Sequence, residues 1–219
     1  MPVISLTSQL RDRGFNTNDL ARLRRRGEIV RIRRGAYAQP SETMSAISSG
    51  AEDQHRLRLA ATIPQLAGGA VISHSSAALL YGLPTWPESL ERVHITRDRN
   101  YGGKRRSVVI VHGAPLVAED IVELNGVRLT SLARTVIDLA RSRPFGQAVA
   151  SGDRAIAIGL DRTDLDHALV RMKRWPHVRE ARRVVAFLDG RSESAGESLS
   201  RVRIADDGLP GAGSSAPDH

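Results

Sequence analysis

Glycines break the first forty residues of this chain into short segments, and this restricts what the region can fold into. The stretch 4–15 predicts a short helix that Gly14 stops. A second helix is predicted from Asn16 or Thr17, either of which can cap it, to the break at Gly27. Two short helices joined by a tight turn form the pattern of a helix-turn-helix.

A basic segment with strand periodicity follows this second helix. Val30 and Ile32 alternate with Arg31 and Arg33, which is the period-two pattern of a strand with one buried face. Gly35 supplies a turn, after which the chain can return as a second strand. Helix, turn, helix and basic hairpin together predict a small winged helix-turn-helix.

Positive charge is concentrated in this module. Residues 1–38 carry nine Arg and three acidic residues, a net charge of +6, whereas the rest of the chain carries 23 basic and 21 acidic residues. Such an excess is typical of a surface that binds nucleic acid, because basic side chains that neutralise phosphates release counterions. Coding bias explains why 30 of the 32 basic residues are Arg, but it does not explain why acidic residues are scarce here.

The predicted module assigns DNA contacts to particular side chains. The second helix of a winged helix-turn-helix enters the major groove with its N-terminal residues nearest the base edges. The candidate base readers are therefore Thr17, Asn18, Ala21 and Arg22. The side chains better placed for phosphates or the minor groove are Arg25, Arg26, Arg31, Arg33 and Arg34. A solvated basic helix beside a hairpin, an RNA-binding surface and a protein-binding surface remain as alternatives.

Residues 16–38 resemble a known family. Their Leu-x-x-Leu helix, Gly-x-Ile-Val-Arg strand and Arg-Gly-x-Tyr-Ala wing are similar to the N-terminal domain of AbiEi-type antitoxins, the transcriptional regulators of bacterial type IV toxin–antitoxin operons. The resemblance implies a sequence-specific repressor of its own operon, with double-stranded operator or promoter DNA as partner. It also implies a cognate toxin encoded nearby and a homodimer. We take residues 1–39 as the DNA-binding domain and 40–51, which are small and polar, as a linker.

Residues 52–190 predict a mixed α/β domain with its strands in the first half and helices in the second. Asn125-Gly126 predicts a tight turn between strands, and Thr130 or Ser131 predicts the cap of a helix over 132–140. Within this helix, Arg134 and Asp138 have the i,i+4 spacing of an ion pair.

Three motifs of this domain resemble the central domain of actinobacterial AbiEi-like regulators in order and spacing. They are Ser-His-x-Ser-Ala-Ala-x-Leu-x-Gly-Leu-Pro from Ser73, Val-His-Ile-Thr from Val93, and Gly-Val-x-Leu-Thr-Ser-x-Ala-Arg-Thr-Val-x-Asp-Leu-Ala from Gly126. The resemblance implies a nucleotidyltransferase-like fold without a known reaction. The expected fold class is therefore α+β: a winged helix-turn-helix, then a mixed α/β domain with a helical C-terminal part.

The sequence offers little for catalysis. Ser73 beside His74 fits a capping serine and a hydrogen-bonded histidine better than a nucleophile and its base, because neighbours on one helical turn rarely converge on a substrate. His94 and His112 fall on predicted strands, but no carboxylate or third histidine stands at ligand spacing. Without a Walker loop or dinucleotide fingerprint either, we expect no catalytic residue, no metal and no cofactor, and hence no enzyme.

Residues 189–203, with the motif Ser-Glu-Ser-x-x-Glu-Ser from Ser192, resemble the opening of a C-terminal nuclease domain related to very short patch repair endonucleases, and Glu197 would match its acidic residue. No lysine follows Lys173, so the Glu-x-Lys pair of such PD-(D/E)xK nucleases is missing. Ser194 and Glu197 also have the spacing of a capping box. We therefore interpret 191–219 as a remnant of the first nuclease helix plus a flexible tail; a nuclease that retains activity is the competing hypothesis.

The remaining composition predicts a cytoplasmic protein without membrane contact. The chain has no cysteine, which excludes disulfides and thiolate metal sites. It also lacks the run of roughly 18 apolar residues that a membrane helix needs, and its N-terminus lacks the basic-then-apolar pattern of a signal peptide.

Overall fold

The computed structural model describes residues 2–99, 103–105 and 108–207, and for residues 104 and 105 it describes the backbone alone. The contacts divide the chain into two units. Unit 1 contains residues 1–77 and 86–129, and unit 2 contains residues 78–85 and 130–219. None of the helices in the described ranges is long and apolar enough to cross a membrane.

The N-terminal part of unit 1 combines helices with a small antiparallel sheet. Its elements are β1 (Ile4–Leu6), α1 (Thr7–Asp12), α2 (Thr17–Arg25), β2 (Val30–Arg33) and β3 (Ala36–Ala38). The second helix and both hairpin strands lie where the sequence predicts them. The predicted helix over 4–15 is wrong at its start, because β1 pairs with β3 in a sheet of order β1-β3-β2. This pairing is a long-range contact, and it overrides the local helical pattern.

The segment predicted to be a linker is helical. It forms α3 (Pro40–Ser49), and α4 (Ala51–Thr62) follows directly. Pro40 occupies the first helical position, where its missing N–H costs nothing. Only Ala46 is buried in α3, and so little apolar surface explains why the sequence shows no helical periodicity there.

These two helices share a core with the small sheet. Ala46 of α3 and Leu57 of α4 form one buried cluster with Ala38, against which Ile4 and Ile32 pack. A second cluster joins α1, α2 and β3 through Leu10, Leu20 and Tyr37. The predicted boundary between residues 39 and 40 therefore does not coincide with a break in packing.

The larger part of unit 1 is a six-stranded mixed sheet of order β6-β7-β5-β4-β9-β8. Its strands are β4 (Ala70–Ile72), β5 (Val93–Arg97), β6 (Lys104–Arg105), β7 (Val109–Gly113), β8 (Ile121–Leu124) and β9 (Val127–Thr130). β5 runs parallel to β7 and antiparallel to β4. Asn125 and Gly126 both have positive φ in the turn between β8 and β9, which confirms the predicted Asn-Gly turn. Helix α5 (His74–Leu80) begins directly after β4.

In its described residues, the regular structure of unit 2 is helical apart from the end of β9, and its core extends from Ala78 to Val202. Its main helices are α6 (Leu132–Ser142), α7 (Phe145–Ala157), α8 (Arg162–Arg171), α9 (Val178–Phe187) and α10 (Ala195–Asp206). Ser131 Oγ accepts from the Arg134 N–H and caps α6, as predicted. The predicted Arg134–Asp138 pair is present at 2.9 Å and both side chains are almost fully buried.

Helix α10 belongs to this core and does not stand apart as the start of another domain. Ser198 Oγ donates to Asp153 Oδ2 on α7 over 2.6 Å, and Arg201 Nη2 donates to the same oxygen over 2.6 Å. Glu197 accepts the Glu193 N–H through Oε2, while Ser194 Oγ accepts the Glu197 N–H. Glu197 therefore serves a capping arrangement, and the predicted nuclease remnant is not supported. The expected tail lies outside the described residues from residue 208 onward.

Candidate nucleic-acid interface

Helix α2 begins at a complete capping box. Asn16 Oδ1 accepts the N–H groups of Asn18 and Asp19, at 2.8 and 3.0 Å, and Asp19 Oδ2 accepts the Asn16 N–H at 3.0 Å. These reciprocal bonds fix the first helical residue at Thr17. Because Asn16 already takes two amide hydrogens of this terminus, a nucleic acid approaching here would be met mainly by side chains.

The predicted base readers share the outer face of α2. Leu20 is buried on the inner face, against Leu10 and Tyr37. The exposed side chains follow the spacing of one helical face: Thr17, Asn18, Ala21, Arg22 and Arg25. The structure therefore brings the four predicted base readers together with one of the predicted phosphate contacts, and it leaves all five accessible.

Two arginines of this region are held by neighbouring carboxylates. Arg22 Nη2 lies 2.7 Å from Asp19 Oδ1, and Arg26 Nη1 lies 3.9 Å from Glu28 Oε1. Both arginines and Glu28 are exposed and Asp19 is half-buried, and surface pairs of this kind contribute about 1 kcal/mol or less. A phosphate or a guanine edge can therefore replace either carboxylate at small cost.

The predicted wing is short and its turn is packed. The Gly35 carbonyl accepts the Thr7 N–H at 3.0 Å, so the turn between β2 and β3 is held at the start of α1. Gly35 has a φ of +83°, and a Cβ at this position would lie 2.8 Å from the side-chain oxygen of Gln65. The turn at Gly35 is thus held in place between β2 and β3.

The wing arginines differ in exposure. Arg31 and Arg34 are exposed, whereas Arg33 is half-buried beside an irregularity in the β2–β3 register. Arg31 Nε also donates to the Arg33 carbonyl, at 3.4 Å. Three further arginines, which are not among the predicted contacts, are exposed in the same module: Arg11, Arg13 and Arg24. Their positive charge, which is part of the excess in residues 1–38, was the signal in the sequence that could have identified them.

One cluster among the described residues has the spacing of metal ligands. His74, His94 and His112 each offer a ring nitrogen, and these nitrogens all lie within 4.8 Å of one another. The expectation that no third histidine stands near His94 and His112 is therefore wrong. The order of the strands in the sheet brings His74 to the other two, and the sequence does not reveal that order.

Ser73 and His74 are hydrogen-bonded, as expected. The Ser73 carbonyl accepts the Ala77 N–H as the first bond of α5. The Ser73 hydroxyl lies 3.0 Å from His74 Nδ1 and accepts from Thr96 Oγ1 at 2.8 Å. The serine side chain thus orients a histidine and a threonine, while its backbone begins the helix.

A second buried histidine network lies in unit 1. His55 Nδ1 lies 2.7 Å from the Leu90 carbonyl oxygen, and Nε2 lies 2.8 Å from Ser76 Oγ. Ser76 Oγ also accepts the backbone N–H of His94. Burial is the main cause that lowers the pKa of His55, to about 4. The hydrogen bond to the Leu90 carbonyl raises the pKa, and the positive charges of Arg58 and Arg56 lower it.

Comparison with known proteins gives matches of different extent. The sequence model of a family described as transcriptional regulator, AbiEi antitoxin, matches residues 6–40. The uncharacterized proteins MT2308 and Rv2248 of Mycobacterium tuberculosis are each 29% identical over 185 residues, which is 84% of this chain. The chain spans 62% of the length of these relatives.

The crystal structure of the RV2827C protein from Mycobacterium tuberculosis is similar with a TM-score of 0.53 and 18% identity, over 90% of this chain and 75% of that chain. This likeness concerns the fold. The family match falls on the segment from α1 to β3, which carries the exposed face of α2 and the basic hairpin. The comparisons therefore support a relationship of this N-terminal segment to the AbiEi family of transcriptional regulators and antitoxins.

Proposed function

We propose that this chain is a sequence-specific DNA-binding transcriptional regulator of the antitoxin type, which represses its own operon. The observation that carries the proposal is the exposed outer face of α2, from Thr17 to Arg25, inside the segment that matches the AbiEi regulator family. A helix that buries one face and exposes polar and basic side chains on the other can lie in a major groove without losing its packing.

In this proposal the module acts as a winged helix-turn-helix with divided roles. Thr17, Asn18, Ala21 and Arg22 face the base edges, because they lie on the first turns of α2. Arg25, Arg26, Arg31 and Arg34 bind phosphates from exposed positions. Arg33 is half-buried and plays the smaller part among the wing residues.

The further elements of the proposal follow from the family resemblance. As part of the proposal, this chain acts as a homodimer and pairs with a toxin encoded beside it. The nucleotidyltransferase-like fold of the following domain, without a reaction of its own, belongs to the same proposal. Light scattering of the purified chain tests the dimer, and co-expression with the neighbouring gene product tests whether this chain relieves a growth defect.

A binding assay tests the DNA proposal. The wild-type chain is titrated into a labelled duplex from the region upstream of its own gene and into a shuffled duplex of equal length, at several salt concentrations. We expect tighter binding to the upstream duplex and a Kd that rises with salt. Arg22→Ala should reduce the preference between the duplexes, whereas Arg34→Ala should weaken both alike and lower the salt slope by about 1.

Arg128→Ala is the matched control, because it removes one exposed arginine from β9, outside the module. Its binding to both duplexes should equal that of the wild type. Equal affinity of the wild-type chain for the two duplexes would refute operator recognition. If Arg22→Ala and Arg34→Ala both bind as Arg128→Ala does, the proposed docking of α2 and the wing is wrong.

A further inference from the structure

Two neighbouring strands and the start of helix α5 bring one histidine each to the same place. In the sheet, β5 lies between β7 and β4. His94 is on β5 and His112 on β7, and the parallel register pairs His112 with Thr96, two residues beyond His94. Residues two apart on a strand point to the same face, so both imidazoles stand on one face of the sheet. His74 reaches them from the first residue of α5, directly after β4.

The ring nitrogens approach as closely as metal ligands do. His94 Nδ1 lies 3.0 Å from His112 Nε2, and the ligand atoms of all three residues lie within 4.8 Å of one another. A tetrahedral Zn²⁺ with Zn–N distances of about 2.0 Å holds its nitrogens about 3.3 Å apart. The first pair is within a few tenths of an ångström of this value. The third nitrogen lies within 4.8 Å of the others, so the His74 ring, which stacks on His112, must turn and move its nitrogen by up to about 1.5 Å when the ion binds.

The surroundings of His74 resemble the support that a metal ligand receives. Its Nδ1 lies 3.0 Å from Ser73 Oγ, which itself accepts from Thr96. Metal-binding histidines generally donate their second N–H to such an acceptor, which fixes the tautomer and directs the other nitrogen at the ion. Ser73 and Thr96 are fully buried, so this support is rigid.

The backbone at His74 is held in an unfavourable conformation. Its φ is +52°, in the left-handed region that non-glycine residues seldom adopt. Strain of this kind costs about 1 kcal/mol or more and persists where the surrounding structure requires it. The ring that this conformation positions stacks on His112, with centroids 3.7 Å apart.

We propose that His74, His94 and His112 bind a Zn²⁺ ion through three imidazole nitrogens. His74 ligates through Nε2, and the proton shared by His94 Nδ1 and His112 Nε2 moves to the other nitrogen of its own ring, so that both nitrogens bind the ion through their lone pairs. His74 and His94 are buried, while His112 is half-buried, so the ion and a water as fourth ligand enter from the side of His112. Nitrogen ligands without thiolates or carboxylates suit Zn²⁺ better than Mg²⁺ or Ca²⁺. The site is independent of the proposed DNA binding.

Zinc titration of the full-length chain tests this site. The chain, without a histidine tag, is stripped with a chelator and titrated with Zn²⁺ in a calorimeter. We expect one ion per chain. Ser73→Ala removes a supporting hydrogen bond and should lower the affinity for Zn²⁺ by roughly 10- to 100-fold. His112→Gln removes a ligand and should lower the affinity by more than this. His167→Gln, on the exposed face of α8, is the matched control and should bind as the wild type does.

A spectroscopic measurement covers the case in which His112→Gln fails to fold. Zn²⁺ is added to wild-type chain labelled with ¹⁵N in its histidine rings, and the ring nitrogens of His74, His94 and His112 should shift together at one equivalent. The absence of a bound ion in the wild type would overturn the proposal. Shifts confined to other histidines, or an affinity that is unchanged in His112→Gln, would overturn it as well.

Discussion

Acidification is expected to destabilise unit 1 through one buried imidazole, that of His55. The Leu90 carbonyl can only accept a hydrogen bond, so His55 Nδ1 carries the proton and Nε2 accepts from the Ser76 hydroxyl. A second proton would have to go to Nε2. It would break the bond to Ser76 and place a charge on a fully buried side chain.

The size of the effect follows from the two pKa values of His55. The pKa is about 6.5 in the unfolded chain, and burial lowers it to about 4 in the folded chain. Since the folded value is the lower one, the contribution is fully present above pH 6.5, falls progressively as the pH is lowered from 6.5 to 4, and is absent below pH 4. The total is about 3 kcal/mol, of which about 2 kcal/mol disappears between pH 7 and pH 5.

The assay is urea unfolding at pH 7 and pH 5, followed by the fluorescence of Trp86, which belongs to unit 1 like His55. A Trp175→Phe background removes the other tryptophan. The wild-type chain should lose about 2 kcal/mol more than His55→Gln over this interval. His167→Gln, which removes an exposed histidine, should keep the full loss. Equal losses in wild type and His55→Gln, or a His55 ring that titrates near pH 6.5 by NMR, would refute the reasoning.

Three substitutions test the packing and capping described above. Asp138→Ala should cost about 3–5 kcal/mol of unfolding free energy, because it leaves the buried Arg134 charge without its carboxylate; Asp189→Ala, in an exposed pair, should change little in the same urea titration. Gly152→Ala should destabilise by about 1–3 kcal/mol, since the new Cβ would lie 2.5 Å from Leu188. Gly196→Ala, in the first turn of α10, where the new Cβ would make only an ordinary contact of 3.7 Å with Ser194 Oγ, should instead raise the melting temperature, and a higher melting temperature for Gly152→Ala would contradict the packing. Asn16→Ala should cost about 0.5–2 kcal/mol and lower the affinity for DNA, and unchanged stability would show that the capping box is not formed in solution.

The features that the sequence predicts correctly depend on local interactions. The cap at Asn16, the Asn125-Gly126 turn and the cap at Ser131 each involve residues within a few positions of one another. These signals located α2, the β8–β9 hairpin and α6. The exposed face of α2 was predictable for the same reason, because a single helix with one buried leucine face determines which side chains point outward.

The misplaced features depend on distant partners. Ile4 lies in a strand because it pairs with Ala38. Helix α3 buries Ala46 alone and therefore carries little periodicity. The histidine cluster requires β5 to lie between β4 and β7, and strand order is a property of the whole sheet. None of these features produces a recognisable pattern within a window of ten or fifteen residues.

The small sheet and helix α4 share one apolar cluster. This shared cluster determines the shortest N-terminal fragment that can keep its packing. A peptide ending at residue 39 would lack Ala46 and Leu57, two of the three members of the cluster against which Ile4 and Ile32 pack in the intact chain. It would also fall below the size of about 40 residues at which a domain without disulfides or metal seldom folds alone. A fragment intended to carry the proposed DNA-binding module must therefore include α3 and α4. Conversely, a destabilising change at Leu57 should weaken the proposed binding from a position outside the exposed face of α2.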